Sequence, residues 1–245
     1  MPTIVDDAVC VRHWDFSETS QTVSLFCREH GLLRGLAKGA KRERGRFSGG
    51  IDLLTRGQVV ALVKSGRELA TLTDWDLQQT FRWLRERLDA NRAAFHMAEL
   101  VLRLITDADP HPNVFDGLVA ALESLATPGA EMATVLRFEW LVLGDTGYRP
   151  RLAVPPESGA TLVFSPVEGG IVDDPSAPGW RVRVETVRLL ERVAEGGSVD
   201  DAPREAVTRA ARLLAAYLRE LIGEEPATMR AFFGPVAPVR AGGSE

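Results

Sequence analysis

Residues 8–27, AVCVRHWDFSETSQTVSLFC, decide the fold. AVCVRHW (8–14) and TSQTVSLFC (19–27) alternate at period two and are rich in β-branched and aromatic residues, the pattern of half-buried strands. Asp15-Phe16-Ser17-Glu18 supplies the turn between them. After a second tight turn at Glu29-His30-Gly31, residues 32–37 return as a third strand that carries Arg34 outward. A short apolar piece follows at 51–54. The run QVVALVKSGRELATLT (58–73) then holds two β-rich pieces joined at Ser65-Gly66-Arg67, a hairpin signal. About five short strands in the first 75 residues predict a small closed or nearly closed barrel.

The period changes at Thr73-Asp74-Trp75-Asp76, where a Thr followed three residues on by an acid resembles a capping box and predicts a helix start. Leu77, Phe81, Leu84 and Leu88 recur at helical spacing. A second helix carries Phe95, Ala98, Leu102 and Ile105 and stops at Asp109-Pro110-His111-Pro112. A third carries Val114, Leu118, Leu122 and Leu125 and ends at Pro128-Gly129. Residues 132–143 are apolar on most sides, which predicts a helix at the centre of a bundle. Two further helices are expected at 185–194 and 205–222. Between 144 and 183 the helical period fails in a stretch dense in Pro and Gly, with short β-like pieces at 161–164 and 170–172. The class is therefore α+β: a β domain over 1–75 and a helical domain over 76–233 with an irregular insertion at 144–183. The Pro-rich stretch 234–245 reads as a disordered tail.

Charge is distributed unevenly. From Arg28 to Arg46 the chain holds seven cations (Arg28, Arg34, Lys38, Lys41, Arg42, Arg44, Arg46) against Glu29 and Glu43, a local charge of +5 in a chain of −5. Gly31, Gly35, Gly39 and Gly45 are interspersed, and small residues let a backbone approach a partner closely. By itself this segment reads either as a phosphate-binding surface or as a solvated basic loop. The acidic remainder would repel a polyanion, so binding would be confined to one face.

Other chemistry finds little support. Gly39-Ala40-Lys41-Arg42 lacks the spacing of a phosphate loop and does not join a strand to a helix. His13, His30, His96 and His111 form no metal-ligand spacing, and His96 with Glu99 reads as a surface pair one helical turn apart. The pairs Asp74/Asp76, Asp107/Asp109 and Asp173/Asp174 fall at expected helix starts or loops, where capping explains them. Cys10 and Cys27 read as buried strand thiols, too few for a disulfide framework or an all-cysteine zinc site. We expect a non-enzyme without a cofactor. The opening MPTIVDDAVC carries acids where a secretory leader needs cations, and no apolar run is long enough to span a bilayer. The expected location is the cytoplasm, away from the membrane.

Several stretches together resemble the RecO family of bacterial recombination mediators. They include Phe16-Ser17-Glu18-Thr19-Ser20, Phe26-Cys27-Arg28-Glu29-His30-Gly31, Ala37-Lys38-Gly39-Ala40-Lys41-Arg42 and Arg46-Phe47-Ser48-Gly49. Further matches are Glu68-Leu69-Ala70-Thr71-Leu72-Thr73, Ala98-Glu99-Leu100-Val101, Pro112-Asn113-Val114-Phe115 and Leu143-Gly144-Asp145-Thr146-Gly147-Tyr148-Arg149-Pro150. The resemblance runs from about residue 5 to 233. It implies an oligonucleotide-binding (OB) barrel followed by a helical domain, and a nucleoid-associated protein that anneals complementary strands and helps load RecA. The implied partners are single- and double-stranded DNA, RecR and the C-terminal tail of the single-stranded DNA-binding protein, with RecA reached indirectly.

On that footing Arg34, Lys38, Lys41, Arg42, Arg44 and Arg46 are the expected phosphate contacts. Phe47 is either a base-stacking ring or a core residue. About five neutralised phosphates would give a salt slope of about −3 to −4 on single strands. Many RecO proteins hold zinc through two Cys-x-x-Cys pairs. The corresponding positions here are Pro155, Ser158, Asp173 and Ser176, a donor set that does not suit zinc, so a metal-free lobe is expected. Two other readings remain: a protein–protein adaptor whose barrel does not bind DNA, and an RNA-binding barrel protein.

Overall fold

Strand β1 (Thr3–Asp15) is long enough to serve two neighbours, and the barrel is built around it. Its first half pairs with β4 (Arg56–Leu62), from Thr3↔Leu62 to Val9↔Arg56. Its second half pairs with β2 (Gln21–Cys27), from Ala8↔Cys27 to Asp15↔Gln21. A register shift between Cys10 and Arg12 marks a bulge in that pairing, the usual device for bending a strand. In this computed structural model, which describes residues 2–42, 46–47, 49–64, 66, 68–154 and 159–235, the chain divides into two units, Met1–Ala126 and Thr127–Glu245.

In the first unit β2 pairs antiparallel with β3 (Gly31–Ala37), and β3 runs parallel to β5 (Ala70–Gln79) over Gly35–Ala37. The order β1-β2-β3-β5-β4, with β4 returning to β1, closes the sheet on itself. Inside lie Ala8, Cys10, Val23, Leu25, Cys27, Val59, Ala61, Leu72 and Trp75, joined by Ala40, Phe47 and Ile51 from the β3–β4 connection. Gly57 is required here, because a Cβ would meet the Trp75 ring at 2.8 Å and the Asp76 carbonyl at 2.5 Å.

The helix expected from residue 74 is strand. β5 continues to Gln79 because it pairs with β4 along its length, and the Thr73 hydroxyl donates to the Val60 carbonyl (3.1 Å) instead of capping a helix. Leu77 is accordingly exposed, and helix begins only at α1 (Trp83–Glu86). The apolar period misled because its four residues belong to separate elements: Leu77 lies on β5, Phe81 in the connection, Leu84 in α1 and Leu88 at the start of the next helix. The short apolar piece at 51–54 forms no strand. Ser65 and Arg67 of the expected hairpin turn lie outside the described residues.

Helices α2 (Leu88–Leu104) and α3 (Pro112–Ser124) complete this unit, α3 with Pro112 at its first turn, where the missing N–H costs nothing. Phe115 of α3 meets Phe26 of β2 at 5.8 Å between ring centroids. The α2–α3 loop lies against the start of β3: the Ala108 N–H donates to the Leu32 carbonyl (3.1 Å). Gly31, at φ +65°, permits this, since a Cβ would fall 2.2 Å from the Asp109 carbonyl oxygen.

The second unit holds α4 (Glu131–Asp145), α5 (Val184–Ala194), α6 (Arg204–Ile222) and α7 (Ala227–Phe233). α4 buries Val135, Leu136, Phe138, Trp140, Val142 and Leu143, as its all-round apolarity predicts. The stretch expected to be irregular contains a three-stranded antiparallel sheet, β7-β6-β8: β6 (Thr161–Ser165), β7 (Gly170–Val172) and β8 (Trp180–Arg183). β8 escapes detection from sequence because Trp180-Arg-Val-Arg is short and follows a Pro/Gly run. Phe164 fastens this sheet, stacking on Trp180 (5.6 Å, 7°) and meeting Tyr217 of α6 edge-on (5.3 Å). α6 ends at Gly223 in the left-handed conformation, a common helix stop.

Candidate nucleic-acid interface

The basic segment begins in the β2–β3 turn, runs along β3 and continues into the β3–β4 connection, which the first unit holds near both of its ends. The Lys41 N–H donates to the Thr19 carbonyl (3.1 Å), and the Gly39 N–H to the Ser20 hydroxyl (3.2 Å). The Ile51 N–H donates to the buried Gln21 side chain (2.9 Å). Gly39, Lys41 and Ile51 of the connection are thus anchored on the β1–β2 turn and the start of β2. Lys38, Lys41 and Arg42 lie at the end of the barrel that carries the β1–β2 turn, whereas Arg28, in the β2–β3 turn, lies at the opposite end.

They are not equivalent. Arg28 makes a paired contact with Asp116 of α3 (2.9 and 2.8 Å) and also donates to Glu29. The Arg28 hydrogen bonds hold the Asp116 carboxyl below its ordinary range. Arg34 is exposed on β3 and pairs with Asp107 (3.2 Å). Lys41 pairs with Asp15 at 2.6 Å. Lys38, Arg42 and Arg46 are exposed and make no ion pair among the described residues. Arg42 lies over Gly39, with its guanidinium carbon 3.8 Å from where a Cβ would stand. Arg44 lies outside the described residues.

Phe47 requires a correction. It is 6% exposed and packs in the barrel core with Ile51 and Trp75, so its ring faces are covered and not offered to a base. Two other rings are offered: Trp14, near the end of β1 and 44% exposed, and Phe16, in the turn that follows and 62% exposed. Sequence reasoning read Trp14 only as strand material. The signal available was its place in the polar half of the alternation, Arg12-x-Trp14, where an outward-facing aromatic is out of pattern.

The remaining candidates resolve into structure. His96 is fully buried in α2, not on the surface, and burial pushes its imidazole down to about 4, so it is neutral near pH 7. Asp74 and Asp76 lie on β5, not at a helix start. Cys10 and Cys27 are buried free thiols, Cys10 pushed up to about 12 by burial and hence unreactive. Among the described residues no group of three His, Cys, Asp or Glu could hold a metal ion. Of the positions matching the zinc ligands, Pro155 and Ser158 lie outside the described residues. Ser176 donates to Asp174 (2.6 Å) and so is engaged within its own turn. Two serines, a proline and one aspartate do not fit zinc. No described helix is long and apolar enough to cross a membrane.

Comparison with known proteins agrees with this architecture. Residues 1–81 match the family described as Recombination protein O N terminal, and residues 85–230 match Recombination protein O C terminal. A DNA repair protein RecO from Rhodopirellula baltica is 34% identical over 178 residues, covering 70% of this chain and 66% of that protein. One from Anaeromyxobacter dehalogenans is 30% identical over 247 residues, covering 96% and 97%. A third, from Salinibacter ruber, is 33% identical over 186 residues, covering 74% and 72%. With matches that run through both units, this chain belongs to the RecO family.

Proposed function

We propose that this protein is a non-enzymatic DNA repair and recombination mediator, whose barrel is an oligonucleotide-binding fold that holds DNA strands through their phosphates. The observation that carries this is the seated β3–β4 connection, where Lys38, Arg42 and Arg46 are exposed without an acid partner among the described residues. In a chain of net charge −5, three such cations at one end of a barrel form a local phosphate site. The strand order β1-β2-β3-β5-β4, with a bulged first strand shared between two partners, supports the oligonucleotide-binding reading. The relatives that match both units are named DNA repair proteins.

Screening the repulsion between two strands on one cationic surface raises their encounter rate, which is annealing. Lys38, Arg42, Arg46 and Arg44 are the first contacts in this reading. Arg34 and Lys41 join once a phosphate replaces Asp107 and Asp15. Among the described residues no side-chain set that reads base edges is evident, so sequence preference should be weak. The family resemblance supplies RecR, the tail of the single-stranded DNA-binding protein and RecA loading as the wider setting, in the cytoplasm at the nucleoid.

The test is annealing of two labelled complementary strands by wild type and by a Lys38→Ala, Arg42→Ala, Arg46→Ala variant. The reading expects acceleration by wild type and its loss in the variant. Acceleration that survives the variant would move the site elsewhere. No acceleration and no DNA binding would leave the adaptor reading, and preference for RNA over DNA of equal length would leave the third.

A further inference from the structure

The outer face of β1-β2-β3 has a composition that phosphate binding alone does not explain. Cross-strand partners share a face, so the register places Trp14, Thr22 and Leu36 in one row and Arg12, Ser24 and Arg34 in the next. Lys38, just past the end of β3, continues the row of Arg34 and Leu36 at period two. The middle strand contributes only short side chains, Thr22 at 2% and Ser24 at 4% exposure, while Arg12, Trp14 and Arg34 on either side are exposed. The face is therefore a furrow floored by two hydroxyl residues, with an indole on one side and cations on both.

Two observations mark the furrow as a ligand site. The Thr22 hydroxyl is buried and makes no hydrogen bond among the described residues, although a buried hydroxyl without a partner is costly. Trp14 leaves a large apolar ring 44% exposed at the point where the basic connection is seated. The acids nearby are Asp15, which holds Lys41, Asp107, which holds Arg34, and Glu18, exposed in the turn. Two of these three are thus already neutralised, and the face with its flanking connection stays cationic.

We propose that Trp14 is a base-stacking residue for single-stranded nucleic acid lying along this furrow, with the Thr22 hydroxyl bonding to the stacked nucleotide. This rests on the phosphate-binding reading of the adjoining connection and adds to it a preference for unpaired over paired strands. A base in a duplex has both faces covered by its neighbours, whereas a single-stranded base can leave the stack and lie on an indole. Stacking is insensitive to base identity and to salt, so Trp14 supplies affinity that the cations do not.

The experiment compares wild type, Trp14→Ala, Trp14→Phe and Thr22→Val by anisotropy, each with a labelled single strand, the same strand with abasic sites, and a duplex of equal length. Melting temperatures are followed in parallel. Trp14→Ala should weaken the single-strand complex by about 5- to 100-fold, with an unchanged salt slope and unchanged duplex affinity. Trp14→Phe should recover most of the loss. The abasic strand should bind wild type as weakly as the intact strand binds Trp14→Ala, and lose little more in that variant. Thr22→Val should melt no lower than wild type and still bind the single strand less tightly.

Equal single-strand affinity for wild type and Trp14→Ala would overturn the stacking role and leave the phosphate site standing. An equal loss on duplex and abasic strands would overturn it too, because the indole would then be acting through the cations. Absence of wild-type binding to any of the three DNAs would overturn both readings.

Discussion

Arg28 and Lys38 belong to one cationic run, yet Arg28 is clamped by Asp116 and Glu29 while Lys38 meets no acid among the described residues. The first part of the run, Arg28 and Arg34, lies where α3 and the α2–α3 loop bring carboxylates to the strands. The described part from Lys38 onward is anchored on a turn where, among the described residues, the acid engaged with it is Asp15, on Lys41. A count of basic residues therefore overstates the phosphate contacts available at once. Ion pairs engage the first half of the run, and the proposed reading assigns the second half to phosphates.

The largest expected effect separates the connection's anchor from its contacts. Phe47→Ala should cost about 3–5 kcal/mol of stability, the usual result of emptying a buried aromatic site, read as a lowered denaturant midpoint. Trp14→Ala, at an exposed ring, should leave that midpoint almost unchanged. If Phe47→Ala melted like wild type but lost DNA, the ring would be a contact after all.

Next in size is the cluster itself. Lys38→Ala, Arg42→Ala, Arg46→Ala should lower single-strand affinity by about 10- to 100-fold at low salt, whereas Arg28→Ala should leave it near wild type. Equal losses would erase the distinction between the two halves of the run. Removing the competing acids sharpens it: Asp15→Asn and Asp107→Asn should each raise DNA affinity by about 2- to 5-fold, since Lys41 and Arg34 would no longer exchange one anion for another.

The smallest effect concerns acid stability. The folded Asp116 carboxyl titrates below its ordinary value, chiefly through its hydrogen bonds from Arg28. Its stabilisation is thus present above the unfolded carboxylate pKa and is lost as pH falls through the folded one. Arg28→Ala should slightly lower the melting temperature at neutral pH and show no difference at strongly acid pH. Both partners are exposed, so added salt should shrink the effect.

Much of this was legible in the chain. Period-two alternation located β1, β2 and β3, and helical spacing located α2, α3, α4 and α6, because those elements bury one face against a continuous core. The reading failed where a neighbour decided the outcome. Thr73 could cap a helix or bond to Val60, and only the pairing of β5 with β4 selects the second. Phe47 could stack or pack, and the hydrogen bonds that seat the connection pull it inward. The ion pairs of Arg34 and Lys41 join residues far apart in sequence, so no local pattern announces them. Trp14 was read only as a strand residue, although its place on the polar side of the alternation with Arg12 marked it as facing outward.

The most direct test of the central claim is fluorescence anisotropy of a labelled DNA single strand across a salt series, with wild type, the Lys38/Arg42/Arg46 alanine variant and the Asp15/Asp107 asparagine variant. Four first-contact cations predict a slope of log affinity on log salt of about −3 for wild type, steepening toward about −4 once Arg34 and Lys41 are released. The alanine variant should be both weaker and shallower. No wild-type binding at low salt, or one slope shared by all three proteins, would contradict the account.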